Sequence, residues 1–347
     1  MRFPINLACR MAQYIAGKKI FAVQKFPLVL MLEPLHRCNL RCGGCGRIRE
    51  YADTLNQELS VEECIDSVKE CDAPIVSICG GEPLIYKGIA ELVDKVLQLG
   101  KYIYLCTNGQ LLEEKLGLFE ELAKTNRLVK QRVFWNVHLD GTAAQHDSIT
   151  GQAGSFAKAL AGIAAARRAG FYVYTNSTLY KQSSVDDLLA LAEVLSERKI
   201  DGMMIAPGYG YDVLQSDVSS LSENEFFLTR RETYKMFQEI RWRMRRFRLT
   251  ATPVYFDFLC GERDLPCAAW ANPTRNIKGW KGPCYLITDK HYAGYRELIE
   301  QTDWTNFGFG RDDRCKDCLM HCGYEPAAVL FGNRFRDLIR TALWQLQ

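Results

Sequence analysis

Cys38, Cys42 and Cys45 stand at C-x3-C-x2-C spacing, directly after an apolar run from Leu28 to Leu32 that reads as a strand. Three thiolates on one short loop suit a soft metal centre. An iron–sulfur cube usually takes four cysteines, so three local ones leave one iron corner for another ligand. Half of a zinc site is the competing reading, although zinc knuckles mostly pair C-x2-C with a second local Cys or His pair. A second group lies near the carboxyl end. There Cys267 and Cys284 flank a segment, Asn272 to Trp280, that reads as a hairpin, and Cys315, Cys318 and Cys322 follow at C-x2-C-x3-C spacing. These five suit an iron–sulfur cluster or a zinc ion.

The elements that must position these residues alternate. Apolar strand-like runs occur at 28–33, 74–79, 101–106, 132–139, 171–178 and 202–206. Helix patterns lie between them at 60–71, 86–99, 154–169 and 184–198, the first opening on the capping box Ser60-Val61-Glu62-Glu63. Near-continuously apolar strands joined by helices predict a parallel sheet with right-handed crossovers. The expected fold is α/β, a partial (β/α)6 barrel followed by a smaller cysteine-rich α+β domain. No GxGxxG follows the first strand, which speaks against a dinucleotide fold. The polar motifs fall at carboxyl ends of strands, where β/α barrels assemble their sites. Gly80, Gly81, Glu82 and Pro83 follow the second strand, Cys106-Thr107-Asn108-Gly109 ends the third, and His138-Leu139-Asp140-Gly141 ends the fourth. Asn176 and Thr178 end the fifth, and Pro207-Gly208-Tyr209 ends the sixth.

A chain of 347 residues with 48% hydrophobic content has room for one large and one smaller domain. The division expected is an amphipathic helix over 1–25, the barrel over 26–215, and a cysteine-rich region over 216–347. A net charge of +3 does not mark a polyanion binder. Ser220 to Phe247 reads as a long helix with Arg230, Arg231, Arg241, Arg243, Arg245 and Arg246, a solvated or membrane-facing surface rather than a nucleic-acid site. Residues 5–25 and 331–347 are amphipathic and basic, a pattern that suits an anionic membrane surface or packing on the barrel edge. No secretory signal is visible and no run has the length to span a bilayer. With cysteines in tight metal-type spacings, a reducing cytoplasm is expected.

Taken together, the cysteine spacing, Gly80-Gly81-Glu82-Pro83, Cys106-Thr107-Asn108-Gly109 and His138-Leu139-Asp140-Gly141 resemble the radical S-adenosylmethionine (SAM) superfamily. The resemblance implies a [4Fe–4S] cluster on Cys38, Cys42 and Cys45, with the methionine amino and carboxylate groups of SAM on the open iron. It implies that Gly80 to Pro83 meet the methionine end of SAM, and that Asn108, His138, Asp140, Asn176, Thr178 and Pro207 are SAM or substrate contacts. Many members carry an aromatic residue after the third cysteine; here it is Gly46. The C-terminal cysteines resemble a Twitch or SPASM auxiliary-cluster region. That maps a second cluster to Cys267, Cys284, Cys315 and Cys318, with Cys322 extra or replacing one of them.

Longer stretches, among them Pro27 to Pro34, Leu59 to Cys64, Trp270 to Asn276 and His321 to Glu325, resemble the adenosylhopane synthase family of hopanoid biosynthesis. That resemblance implies addition of the 5′-deoxyadenosyl radical to the alkene of diploptene, an apolar triterpene, with electrons from a flavodoxin- or ferredoxin-type donor and peripheral contact with the membrane. Addition leaves a carbon radical that needs one hydrogen atom. Thiols donate hydrogen atoms well, and Cys106, at the end of the third strand and outside both cysteine groups, is the expected donor, with Cys79 a weaker rival. A Twitch-type dehydrogenase or peptide-modifying enzyme is the alternative within the superfamily. A non-catalytic iron–sulfur or zinc protein is the alternative outside it.

Overall fold

The computed structural model describes residues 2–210, 226–332 and 335–346. Its first helix, α1 (Ile5–Ile20), precedes six strand–helix units. The strands are β1 (Val29–Leu32), β2 (Ile75–Ile78), β3 (Tyr102–Thr107), β4 (Val133–His138), β5 (Tyr172–Leu179) and β6 (Gly202–Pro207). Between β1 and β2 lie α2 (Arg47–Glu50) and α3 (Val61–Cys71), and between β2 and β3 lies α4 (Ile89–Gln98). Helices α5 (Leu112–Thr125) and α6 (Leu128–Arg132) lead to β4, α7 (Ala143–Thr150) and α8 (Ser155–Arg168) to β5, and α9 (Val185–Glu197) to β6. Ser60 and Glu63 close the expected capping box on α3.

The six strands are parallel and adjacent in sequence order. Alternate residues divide the sheet's faces. Leu30, Leu32, Val76, Ile78, Ile103 and Leu105 pack outward under the helices with Val68, Leu92 and Val96. The other face lines the lumen. At its amino-terminal end an aromatic floor of Tyr102, Phe134 and Tyr174 is closed by Phe3, Leu7 and Met11 of the N-terminal segment. The inner face of α1 is therefore core packing. Its apolar residues Ile20 and Phe21 project into solvent.

Beyond β6 come α10 (Arg230–Arg243) and α11 (Pro253–Leu259), and then the sheet resumes. β7 (Thr274–Asn276) pairs parallel to β1, and β8 (Gly279–Pro283) and β9 (Thr288–Tyr292) follow antiparallel. The result is one nine-stranded sheet in the order β6-β5-β4-β3-β2-β1-β7-β8-β9. The chain ends in α12 (Tyr295–Gln301), α13 (His321–Phe331) and α14 (Phe335–Leu346).

Two local expectations change. The arginine-rich helix is shorter than 220–247: it begins at Arg230, where Thr229 and Glu232 form a capping box that fixes the start, and residues 220–225 lie outside those described. Arg241 on it pairs with Asp257 and Glu262 and Arg243 with Asp186 and Glu239, while Arg246, past its end, pairs with Glu193, which makes this a packed, solvated surface. The terminal amphipathic segment divides, Phe331 closing α13 and α14 starting at Phe335. No helix among the described residues is long and apolar enough to cross a membrane.

Candidate active site

The cysteine loop leaves β1 and is held by the turn after β2. Gly81 N–H donates to Leu35 O (3.0 Å) and Glu82 N–H to Arg37 O (3.0 Å). A Cβ on Gly81 would stand 2.0 Å from Arg37 O, and one on Gly80, at φ 104°, 2.4 Å from Leu35 O. Only a glycine pair lets the two backbones approach this closely. Glu82 is buried and spends both oxygens inside the protein. Oε1 accepts from Leu84 N–H (3.0 Å) and Thr107 Oγ1 (2.7 Å), and Oε2 accepts from Asn108 N–H (2.8 Å). Burial raises its carboxyl to about 7. The Glu82 side chain thus ties the exit of β2 to that of β3, which assigns it a positioning role that the resemblance did not imply.

The rest of the loop is fastened from three sides. Arg49 on α2 donates to the carbonyls of Cys42 (3.2 Å) and Cys45 (2.6 Å). Gly43 N–H donates to Ile149 O (2.8 Å), and a Cβ on Gly44 would collide with the Tyr180 ring. Gly46 immediately precedes α2. Asn108 Nδ2 reaches Asn39 Oδ1 (2.8 Å) and Cys38 Sγ (3.7 Å), and Leu40 N–H donates to Cys38 Sγ (3.4 Å). Burial raises the Cys38 thiol to about 11 and raises Cys42 too, and in both cases the neighbouring cysteines add to the rise. Three thiols gathered in a half-buried loop repel one another as thiolates, so a cationic group is what makes them compatible. Among the described residues no three His, Cys, Asp or Glu side chains converge on a single-ion site. Three thiols on one short loop are a donor set that suits an iron–sulfur cluster.

A second set joins β4 to β5. His138 Nε2 lies 2.7 Å from Asp140 Oδ2, and Asp140 Oδ1 accepts from Thr178 N–H (2.7 Å). Burial opposes a charged His138 ring, but Asp140 beside it prevails and holds the imidazole above its ordinary value. His146 Nδ1 accepts from Asp140 N–H (3.1 Å), and burial with His138 nearby lowers it to about 4. His146, Tyr180 and Arg49 were missed from the sequence, since each acts through a contact the chain's local pattern does not display. Asn176 opposes His138 in the sheet register and Pro207 opposes Leu179, so both stand at the same end of the barrel as the cysteine loop. Tyr209 departs from this group, donating to Arg314 O (3.2 Å) and lining the C-terminal cysteine cavity.

Cys106 occupies the lumen face of β3, since its neighbours Leu105 and Thr107 are buried on the other. Its thiol is free and half-buried, 3.3 Å from Ser77 Oγ and 3.7 Å from Asn136 Nδ2. Burial raises its pKa, which keeps it a neutral S–H at physiological pH. Cys79 shares that face but is buried beside Glu33.

All five C-terminal cysteines, Cys267, Cys284, Cys315, Cys318 and Cys322, line one cavity with Tyr209 and Tyr324. The backbone N–H groups of Leu286 and Ile287 point at Cys284 Sγ (3.4 and 3.3 Å). A Cβ on Gly323 would stand 2.6 Å from Cys267 Sγ, so the glycine keeps that thiol's space open. The donor set fits a second cluster and holds one thiol more than a cube takes.

A bridge of buried charge joins the two cysteine groups. Arg47, two residues past Cys45, pairs with buried Glu33 (3.0 Å) and with Glu50 (3.2 Å), and donates to Tyr285 O (2.9 Å) next to Cys284. Lys281, also fully buried, donates to Glu50 (3.1 Å) and to the same Tyr285 O (2.9 Å).

Residues 32–195 match the family model described as the Radical SAM superfamily, and residues 203–340 match a domain of unknown function, DUF3463. The chain is 30% identical over 206 residues to an Fe-coproporphyrin III synthase of Methanosarcina barkeri, covering 57% of this chain and 49% of the relative. It is 24% identical over 292 residues to a PqqA peptide cyclase of Granulibacter bethesdensis, covering 80% of this chain and 74% of that one. The crystal structure of Streptococcus suis SuiB superposes with a TM-score of 0.63 at 16% identity, covering 90% of this chain and 75% of that one, a likeness of fold. The chain spans about half the length of the Methanosarcina relatives it matches. Matched motifs, parallel barrel and cysteine loop agree with the radical SAM family model over residues 32–195, and the [4Fe–4S] cluster and SAM of that superfamily fit Cys38, Cys42 and Cys45.

Proposed function

We propose that this chain is a radical SAM enzyme that adds the 5′-deoxyadenosyl group to the terminal alkene of an apolar triterpene, diploptene, giving adenosylhopane. When bound, the cluster supplies the electron that cleaves SAM into methionine and the 5′-deoxyadenosyl radical. The observation that carries the reading is Cys106, a neutral thiol on the lumen face one residue before Thr107 and Asn108. Hydrogen abstraction has no need of a hydrogen donor, whereas addition does. Addition forms one carbon–carbon bond and leaves a carbon radical; Cys106 S–H gives that carbon its hydrogen atom, and one electron from a flavodoxin- or ferredoxin-type donor with one proton from solvent restores the thiol. Asn136 and Ser77 orient the sulfur. The aromatic floor of Tyr102, Phe134 and Tyr174, closed by the N-terminal segment, gives the lumen an apolar base that suits a hydrocarbon. An apolar substrate of this kind is collected from a membrane.

One of the named relatives, the PqqA peptide cyclase, favours a second reading, a peptide-modifying enzyme. The PqqA peptide cyclase match covers 80% of this chain, more than the barrel alone. Anaerobic incubation with SAM, reductant and diploptene, followed by mass spectrometry of the lipid phase, decides between them. An adenosylated lipid supports addition. Free 5′-deoxyadenosine with unaltered lipid refutes it and turns the search to peptides.

A further inference from the structure

Helix α14 is mounted with its polar side inward. Asp337, buried, pairs with Arg263 (2.8 Å), and Arg340 makes two bonds to Asp257 on α11 (2.7 and 3.1 Å). The opposite face carries Phe335, Leu338, Leu343 and Leu346, which are 78, 59, 57 and 65% exposed. Their spacing is that of an amphipathic stripe, and such a stripe ordinarily faces a core. Here ion pairs hold it toward solvent.

The stripe does not stand alone. The N-terminal segment meets the last two helices: Arg2 N–H donates to Gln345 O on α14 (3.0 Å), and Lys19 Nζ on α1 donates to Leu330 O on α13 (3.1 Å). Ile20 and Phe21, 79 and 82% exposed, extend the apolar surface at the carboxyl end of α1. Cations frame it. The first 28 residues hold Arg2, Arg10, Lys18, Lys19 and Lys25 and no acidic residue, although the whole chain carries only +3. Arg10, Lys19, Lys25 and Arg336 are exposed. An exposed apolar stripe of this kind marks an interaction site. Apolar side chains bordered by basic ones match the acyl–headgroup boundary of an anionic bilayer. A second copy of the chain would instead set like charges against each other across a twofold axis.

We propose that the outward face of α14, with Ile20 and Phe21 at the end of α1, docks on an anionic lipid surface. The inference deepens the apolar-substrate reading, and its test uses vesicles without triterpene, so that either can fail without the other.

The test is flotation of the full-length, cluster-loaded protein with vesicles of phosphatidylglycerol and phosphatidylethanolamine, and with vesicles of phosphatidylcholine alone. Wild type should partition to the anionic vesicles, less so at high salt, and Leu338→Ser/Leu343→Ser should reduce partitioning about tenfold or more. Ile20→Ser/Phe21→Ser, on a separate helix, should weaken it as well, which guards against a folding defect in α14. Unchanged melting temperatures and SAM cleavage in both variants establish that they are folded. No binding by wild type, equal binding by folded variants, or a solution dimer that the α14 variant dissociates would each overturn the proposal.

Discussion

Replacing Arg47 by Met tests the buried charge that links the two cysteine groups. Glu33 has no exposed surface; burial works against its charge, yet Arg47, 3.0 Å away, prevails and holds the carboxyl down from 4.5 to about 2. A shift of that size corresponds to roughly 3 kcal/mol. Removing one partner of a buried pair costs about 3–5 kcal/mol, because the other charge is stranded. Lys281 still attracts Glu33, so the lower end applies, about 3 kcal/mol. With an unfolding entropy of about 2 cal/mol/K per residue, that lowers the melting temperature of this chain by about 4 °C. The sign of the pH dependence follows from a depressed carboxyl. Its stabilisation is complete above 4.5 and is lost as pH falls toward 2, so the gap between wild type and variant should narrow below pH 4.5. Scanning fluorimetry of the cluster-free proteins at one heating rate reads both quantities. Adding Glu33→Gln to Arg47→Met should recover about half of the loss by removing the stranded charge. A variant that melts within about a degree of wild type would refute the reasoning. So would a deficit that does not change with pH.

Cys42→Ala should abolish SAM cleavage, and the same holds for Cys38→Ala and Cys45→Ala; 5′-deoxyadenosine formation in any of them removes the cluster assignment. Cys284→Ala/Cys315→Ala should bind about four fewer irons than wild type after reconstitution, while equal iron content would leave that cavity to zinc or to no metal. Cys106→Ala should still cleave SAM and form the new carbon–carbon bond, but slow the hydrogen transfer or scramble its stereochemistry. Unchanged rate, yield and stereochemistry would exclude Cys106 as the donor.

What the sequence displayed was whatever repeats locally. The six barrel strands fall within a residue or two of their apolar runs, because strands buried on both faces leave an unbroken signal. β7 was read as part of a hairpin, but its parallel pairing with β1 was not legible. A three-residue strand has no periodicity, and its partner lies more than two hundred residues upstream. Helices α5, α6 and α7 went unread; Gly117 interrupts the first, and α7 has almost no amphipathic pattern. At the site, the residues with distinctive spacing were visible, whereas His146 and the Glu33–Arg47–Lys281 bridge depend on which side chains meet across the sheet. The stripe on α14 was apparent in the sequence, but which side it turns to the protein depends on Asp257 and Arg263, both distant along the chain.

The parallel pairing of β7 with β1 has a consequence for expressing this protein in pieces. A fragment ending after β6 would leave β1, in the intact chain an interior strand, as a bare edge with the N–H groups of Met31 and Glu33 unmatched, since these now donate to the carbonyls of Pro273 and Arg275. Such edges recruit strands from other molecules. The minimal catalytic fragment suggested by motif positions alone should therefore self-associate, and the same edge would sit beside the very loop that carries Cys38. Expression of the isolated barrel calls for a covering strand supplied in trans, such as a peptide spanning 271–292, rather than for a shorter boundary.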